Sequence, residues 1–473
     1  MGNNPSTPMA SCLGAICPTT DCVAFPNRAT YQTNWVVPYN LDVPVTPAAV
    51  IRPNSTADVA AAVKCAVQHG YQVQAKSGGH SYANFGLGGG DGGLMIDLRN
   101  LQHFSMDNST WQASFGSGFL LGKLDQHLHA NGNRAMAHGT CPGVGIGGHA
   151  TIGGIGPSSR LWGTALDHVV EVEVVTADGA VQRASRTQNP DLFWAIRGAG
   201  ASFGIVTEFV VRTEEAPRDV VEYTYSAHLG AQSDMAPLYK QWQALVADPQ
   251  LDRRFASLFI AEPLGVLVTG TFYGTMEEFH ASGIPDRLPQ ASTGVSVTVT
   301  DWLGSLAHVA ETVGLYLSNF SVKFVSRSLA LRREDLLGDA AVDELFNYMG
   351  SANADTPLWF VIFDNEGGAI ADVPDEDSAY PHRDKLVMYQ SYSVGLAGVS
   401  DKMVKFVDGV QERVRAGAPE AKTTYAGYIN ANLDRSTAQH FYWGDKLPKL
   451  RDLKKRFDPG NVFRNPQSID PAE

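Results

Sequence analysis

His80 and Cys141 are nucleophiles of different chemistry, and each sits in a glycine-rich loop: KSGGHSYANFGLGGGDGG at 76–93 and AHGTCPGVGIGGHA at 137–150. Glycines at this density let backbone amides approach a flat or anionic ligand, a task that needs no thiol. His80 alone reads as a turn histidine satisfied by backbone. What singles the pair out is that both occupy glycine loops of one α+β unit. Gly143, Gly145 and Gly148 also satisfy G-x-G-x-x-G. That triplet follows His-Gly-Thr-Cys-Pro rather than a strand, and more glycines follow it instead of a helix, so a nicotinamide-binding turn is set aside. A metal site is not expected: His127 and His129 fall on opposite sides of a helix, and no companion set has zinc-like spacing.

The elements that must carry these loops follow from periodicity. AAVIRPNSTADVAAAVKCAVQHGYQVQAKSGGHS reads as strand, helix, strand, with the helix capped at Ser55 or Thr56, carrying Val59, Val63 and Val67 on one face and stopping at Gly70. LMIDL at 94–98 is a buried strand, and FLLGKLDQHLHANG a helix. HVVEVEVVTADGAVQRAS is a hairpin turning at Asp178-Gly179. DLFWAIRGAGASFGIVTEFVV gives a short helix, a further glycine loop and a strand. Residues 1–215 thus form the first, glycine-loop unit. Longer strands such as VVEYTYSAHL, alternating with helices such as APLYKQWQALV, place a second α+β domain at 216–425. The segment 426–473 is a helix followed by an Asp-Pro-Gly turn, and its basic stretch KLPKLRDLKKR reads as a solvated helix face.

With 473 residues, 44% of them apolar, the chain is long enough for a sizeable enzyme core, and no uninterrupted apolar run is long enough to cross a membrane. A formal charge of −13 repels nucleic acid and anionic surfaces, which suits a neutral substrate. Five cysteines leave Cys141 over once two disulfides absorb Cys12, Cys17, Cys22 and Cys65. Sequence does not select the pairing; Cys12–Cys65 with Cys17–Cys22 is the working one. Three sequons, at Asn54, Asn108 and Asn319, together with these cysteines point to secretion and extracellular localisation. The start, MGNNPSTPMAS, reads as a mature product behind a supplied methionine.

GGHSY, HGTCPGVGIGGHATIGG, NPDLFWAIRGAG and RFDPGNVF resemble the berberine bridge enzyme-like flavoproteins over nearly the whole chain. The resemblance implies an α+β PCMH-type FAD-binding domain beside a second α+β substrate domain built on an antiparallel sheet, with 426–473 returning to the FAD domain. It also implies FAD held by two covalent bonds, from His80 to the flavin 8α-methyl and from Cys141 to C6 of the ring. Anchored at two points, the flavin cannot dissociate, so the substrate side can be an open groove. Gly78, Gly79 and Ser81 in the first loop, with Gly143, Gly145, Gly148 and Gly153 in the second, would bring backbone to the diphosphate and the ring.

Within the family the details are most similar to the fungal oligosaccharide oxidases, which oxidise the reducing-end anomeric hydroxyl to a lactone. By that likeness Tyr428 is the base and Asp364 its supporting carboxylate, while Tyr82, Thr140, Phe360, Ile362 and Gln390 fall where the family lines its sugar or flavin site. An unassisted phenol is a weak base, which is why it needs the carboxylate. Ile362 and Ile260 replace a glutamine and a glutamate of the glucose-oxidising members, and Phe360 replaces a tryptophan. A site that loses hydrogen-bonding groups cannot reward the same hydroxyls, so xylo-oligosaccharides are favoured, with cello-oligosaccharides next. Trp302, Tyr316, Trp359 and Tyr389 are either ring-stacking aromatics or core. Dioxygen is the second substrate, hydrogen peroxide the product, and a monomer the expected state. A flavin oxidase or dehydrogenase of a non-sugar alcohol or alkaloid-like compound is the alternative, and a flavin-loaded binding protein without turnover the remaining one.

Overall fold

The computed structural model describes residues 7–17, 21–228, 230–290, 293–314 and 320–473, with backbone alone over 309–314. Tyr316 and the Asn319 sequon lie outside the described residues. Three sheets dominate. A four-stranded sheet has the order Val23–Ala24, Ala49–Ile51, Leu94–Asp97, Val73–Lys76, and its last three strands are parallel. A five-stranded antiparallel sheet runs Phe104–Asp107, Gln112–Gly116, Ile205–Arg212, Val169–Val175, Val181–Ser185. A seven-stranded antiparallel sheet is built wholly from residues between Val220 and Gly395.

Local chemistry accounts for the elements around the first loop. Ser55 caps the helix Thr56–Gln68 in a capping box with Asp58, which satisfies the Asp58 and Ser55 amides at its start. Val59 and Val63 are buried against the parallel strands, but Val67 is 45% exposed. Two helical steps of four drift well off one face at 3.6 residues per turn, so Ala62 and Ala66 complete the buried stripe instead. The hairpin pairs Val175 with Val181 across a turn in which Gly179 takes φ +70°. Disulfides join Cys12 to Cys65 and Cys17 to Cys22, tying the helix Pro8–Ile16 to Thr56–Gln68.

One face of the seven-stranded sheet is covered by the helices Ala236–Val246, Asp339–Ser351 and Asp401–Gly417, whose Trp242, Phe346 and Val410 are fully buried. Trp359 and Tyr389 belong to that core, and Trp302 packs with Trp162 and Tyr273, so all three are core aromatics. The other face turns toward the glycine loops.

The C-terminal segment corrects two expectations. It is two helices, Arg435–Trp443 and Leu447–Phe457, broken at Gly444 where φ is +47°. They pack into the core of the five-stranded sheet through Tyr442, Trp443 and Leu450. Lys454 is not solvated: its ammonium is buried and donates to Asp458, the Ser202 carbonyl and the Phe463 carbonyl. A buried cation survives when every proton it carries is accepted, so the basic run is a solvated face with one internal strut.

Candidate active site

His80 and Cys141 reach the same cavity, a space of about 310 Å³ between the glycine loops and the seven-stranded sheet. The loops meet because neither Gly78 nor Gly145 has a side chain: a Cβ on Gly145 would strike the Gly78 nitrogen, and one on Gly78 the Gly145 nitrogen. Ser77 Oγ, bonded to the Ser117 carbonyl at 2.6 Å, also accepts from the Gly147 amide at 3.3 Å and locks this close approach. Gly79, Ser81, Thr140 and Gly148 line the same wall.

The two nucleophiles differ in their readiness. Burial drives the His80 imidazole down to about 4, so it is neutral at physiological pH; its ring stacks on Tyr39 at 4.0 Å, and its Nε2 is buried without a hydrogen-bond partner. Burial pushes the Cys141 thiol up to about 11. Cys141 stands outside both disulfides and faces the cavity.

Across the cavity stand Tyr428 and Asp364. Asp364 lies near the end of the strand Trp359–Asn365 and is the one lining residue from the seven-stranded sheet among the described residues. Burial pushes its carboxyl up to about 7. Tyr428 is held by its backbone: Ser328 Oγ donates to the Tyr428 carbonyl at 2.8 Å, and the Tyr428 amide donates to the Tyr425 carbonyl at 2.9 Å. Burial, then the charges of Asp364, Tyr82 and Glu366, lift its phenol far above the tyrosine range. Tyr82 stacks on Tyr428 with ring centroids 6.3 Å apart.

An FAD-binding domain model matches residues 47–185, and a model described as berberine and berberine-like matches 424–470. The chain is 38% identical over 466 residues to the FAD-linked oxidoreductase sorD of Penicillium rubens, covering 98% of each. A solved xylooligosaccharide oxidase of Myceliophthora thermophila in complex with xylobiose superposes with a TM-score of 0.90 at 31% identity, over 99% of this chain and 100% of that one. A glucooligosaccharide oxidase of Acremonium strictum carrying 6-S-cysteinyl, 8α-N1-histidyl FAD superposes with a TM-score of 0.89 at 30% identity, over 98% and 100%. The chain belongs to the berberine bridge enzyme-like FAD-dependent oxidoreductases.

The fold is accordingly the PCMH-type FAD-binding one, and FAD is the cofactor. The residues present fit it: a buried unpartnered ring nitrogen on His80, a thiol outside the disulfides and a cradle of side-chain-free backbone all face one cavity, so His80 and Cys141 are placed to hold the group at two points.

Several expected residues lie behind this surface. Gly143 supports it: its carbonyl packs where a Cβ on Gly78 would go. Gly153, at φ +135°, makes room for the rings of Tyr380 and Tyr425. Phe360, Ile362 and Gln390 do not line the cavity; they are buried beneath Tyr82 in a cluster with Tyr392. Tyr392 Oη donates to Gln390 Oε1 and lies 2.5 Å from Tyr82 Oη, so the one proton of Tyr392 is spent on Gln390 and Tyr82 donates to Tyr392. Tyr392 was legible from the alternation in YQSY, two positions beyond Gln390. Glu366, two residues beyond Asp364 and just past its strand, is a second buried carboxyl there; burial first, then Asp364, raises it well above the usual range. Among the described residues no group of three or more His, Cys, Asp or Glu side chains is placed to hold a metal ion, and no helix is long and apolar enough to cross a membrane.

Proposed function

We propose that this chain is a secreted FAD-dependent carbohydrate oxidase that oxidises the reducing-end anomeric hydroxyl of an oligosaccharide to a lactone. The observation that carries the reading is the presence of Tyr428 and Asp364 on one cavity with His80 and Cys141. The carbohydrate oxidases that superpose on the chain supply the substrate class. Two disulfides and the exposed Asn54 and Asn108 support passage through an oxidising secretory route.

Bound FAD supplies the acceptor for a hydride, and dioxygen takes the electrons onward as hydrogen peroxide. The proton is the protein's task. Tyr428 is a neutral phenol at rest, so it can take the substrate hydroxyl proton only by giving up its own. Asp364, titrating near 7, is the acceptor: a carboxylate of that strength takes a proton at neutral pH far better than one in the ordinary range. Tyr82 stacks on the Tyr428 ring, while its donated hydrogen bond to Tyr392 fixes its hydroxyl.

The sheet around Asp364 is apolar. Leu258 pairs with Asp364, and Ile260 pairs with both Ile362 and Leu267. These apolar side chains stand outside the cavity lining, and the preference for xylo- over cello-oligosaccharides rests on the likeness to the oxidase solved with xylobiose. The apolar surroundings of Asp364 favour a second reading, a non-sugar alcohol with an apolar body. Anaerobic mixing of the holoprotein with xylobiose, cellobiose and a benzylic alcohol decides between them. Bleaching of the visible flavin band by xylobiose supports the first reading, bleaching by the benzylic alcohol alone supports the second, and bleaching by none removes both.

A further inference from the structure

The loop that ends in Cys141 is held by three histidines, of which His149 alone lines the cavity, and the proton transfer uses none of them. The Ala137 amide donates to His168 Nε2 at 3.1 Å, and the Gly139 amide donates to His149 Nε2 at 2.8 Å. Both rings must be neutral to accept. Burial first, and then neighbouring charge, lowers His149 to about 3 and His168 to about 4.

His138 is the opposite case. Its Nε2 is 2.7 Å from Asp125 Oδ1 and its Nδ1 is 2.8 Å from the Gly139 carbonyl, two oxygens that only accept when Asp125 is ionised. Burial disfavours the charged ring, but Asp125 and the Gly139 carbonyl outweigh it and raise His138 above the ordinary imidazole value, in a salt bridge whose side chains are 3% and 5% exposed. Asp125 lies on the buried face of the helix Leu121–Ala130, and the start of that helix holds the other side of the loop. The Leu121 amide donates to the Val144 carbonyl at 2.9 Å, and the Gly122 amide to the Pro142 carbonyl at 3.1 Å. These are first-turn amides that have no partner within their own helix. One helix thus grips the chain before and after Cys141.

We propose that the Asp125–His138 pair is a positioning device that fixes Cys141 for bonding to C6 of the flavin. Closing the Sγ–C6 bond releases the thiol proton and the C6 hydrogen as protons and leaves an electron pair on the ring, which dioxygen removes as hydrogen peroxide. A thiol as weakly acidic as this one is ionised in roughly one molecule in ten thousand at neutral pH, so attachment depends on how well Sγ is held. The inference rests on the assignment of Cys141 as the second tether.

Thiol titration of the denatured, unreduced holoprotein tests it, because the other four cysteines are in disulfides. The wild type is expected to show no titratable thiol. His138→Gln is expected to keep its flavin through His80, remaining coloured after acid precipitation, and to expose close to one thiol per chain. Asp125→Asn, which preserves shape and removes only the charge, is expected to expose a substantial fraction of one. Full attachment at Cys141 in folded Asp125→Asn, whether or not His138→Gln folds, would overturn the proposal. A thiol in the wild-type holoprotein would overturn the tether assignment itself, a separate result.

Discussion

The hydroxyl oxygens of Tyr82 and Tyr392 lie 2.5 Å apart, and Tyr392 donates its own hydrogen bond to Gln390. The chain of three groups ends at a ring stacked on Tyr428, so the buried cluster orients a residue of the cavity wall. Tyr392→Phe leaves the Tyr82 hydroxyl without its acceptor, a loss of roughly 1–3 kcal/mol at a buried group. The expected outcome is a fall of about tenfold in kcat/KM with the flavin content unchanged. Steady-state kinetics beside the flavin-to-protein absorbance ratio check it.

On the proposed mechanism the Asp364 carboxyl sets the acid limb of the pH profile. Its active form is the carboxylate, so activity is present above about 7 and is lost as pH falls through that value. A profile of kcat/KM between about pH 5 and 9 is expected to rise with a slope of one and level off. Asp364→Asn is expected to lower the rate about a hundredfold and to flatten this limb.

Stability has a separate strut at the base of the loops. Arg383 donates to both oxygens of Asp167 at 2.7 Å, with the two side chains 5% and 2% exposed. Burial opposes the Asp167 charge, but Arg383 and the Thr164 amide outweigh it and hold the carboxyl below its usual range. Its contribution is therefore present above the ordinary carboxylate range and is lost as pH falls through the lowered value. Arg383→Met strands a buried charge and is expected to cost roughly 3–5 kcal/mol in denaturant unfolding at neutral pH.

What the sequence revealed followed from local rules. The capping box at Ser55, the Asp178-Gly179 hairpin and the two glycine loops depend on neighbours a few residues away, and each stands where periodicity and turn chemistry put it. What it hid was tertiary. Nothing in KLPKLRDLKKR says that Lys454 alone meets three oxygen acceptors, since two of these lie on other segments. Phe360, Ile362 and Gln390 share the strand phase of Asp364, yet they are buried in the cluster around Tyr82 and Tyr392, two tyrosines of which Tyr82 alone lines the cavity. Trp359 and Tyr389 take the opposite phase and face the helices. Asp125, His138, His149 and His168 meet only in three dimensions, and no spacing among them marks a clamp.

The central claim is that Tyr428 takes the substrate proton. The most direct measurement is the anaerobic single-turnover rate of flavin bleaching by xylobiose in the wild type and in Tyr428→Phe, each with its flavin attached. The account predicts a slowing of about a hundredfold or more in the variant with the resting flavin spectrum unchanged. Bleaching of Tyr428→Phe at the wild-type rate would contradict it.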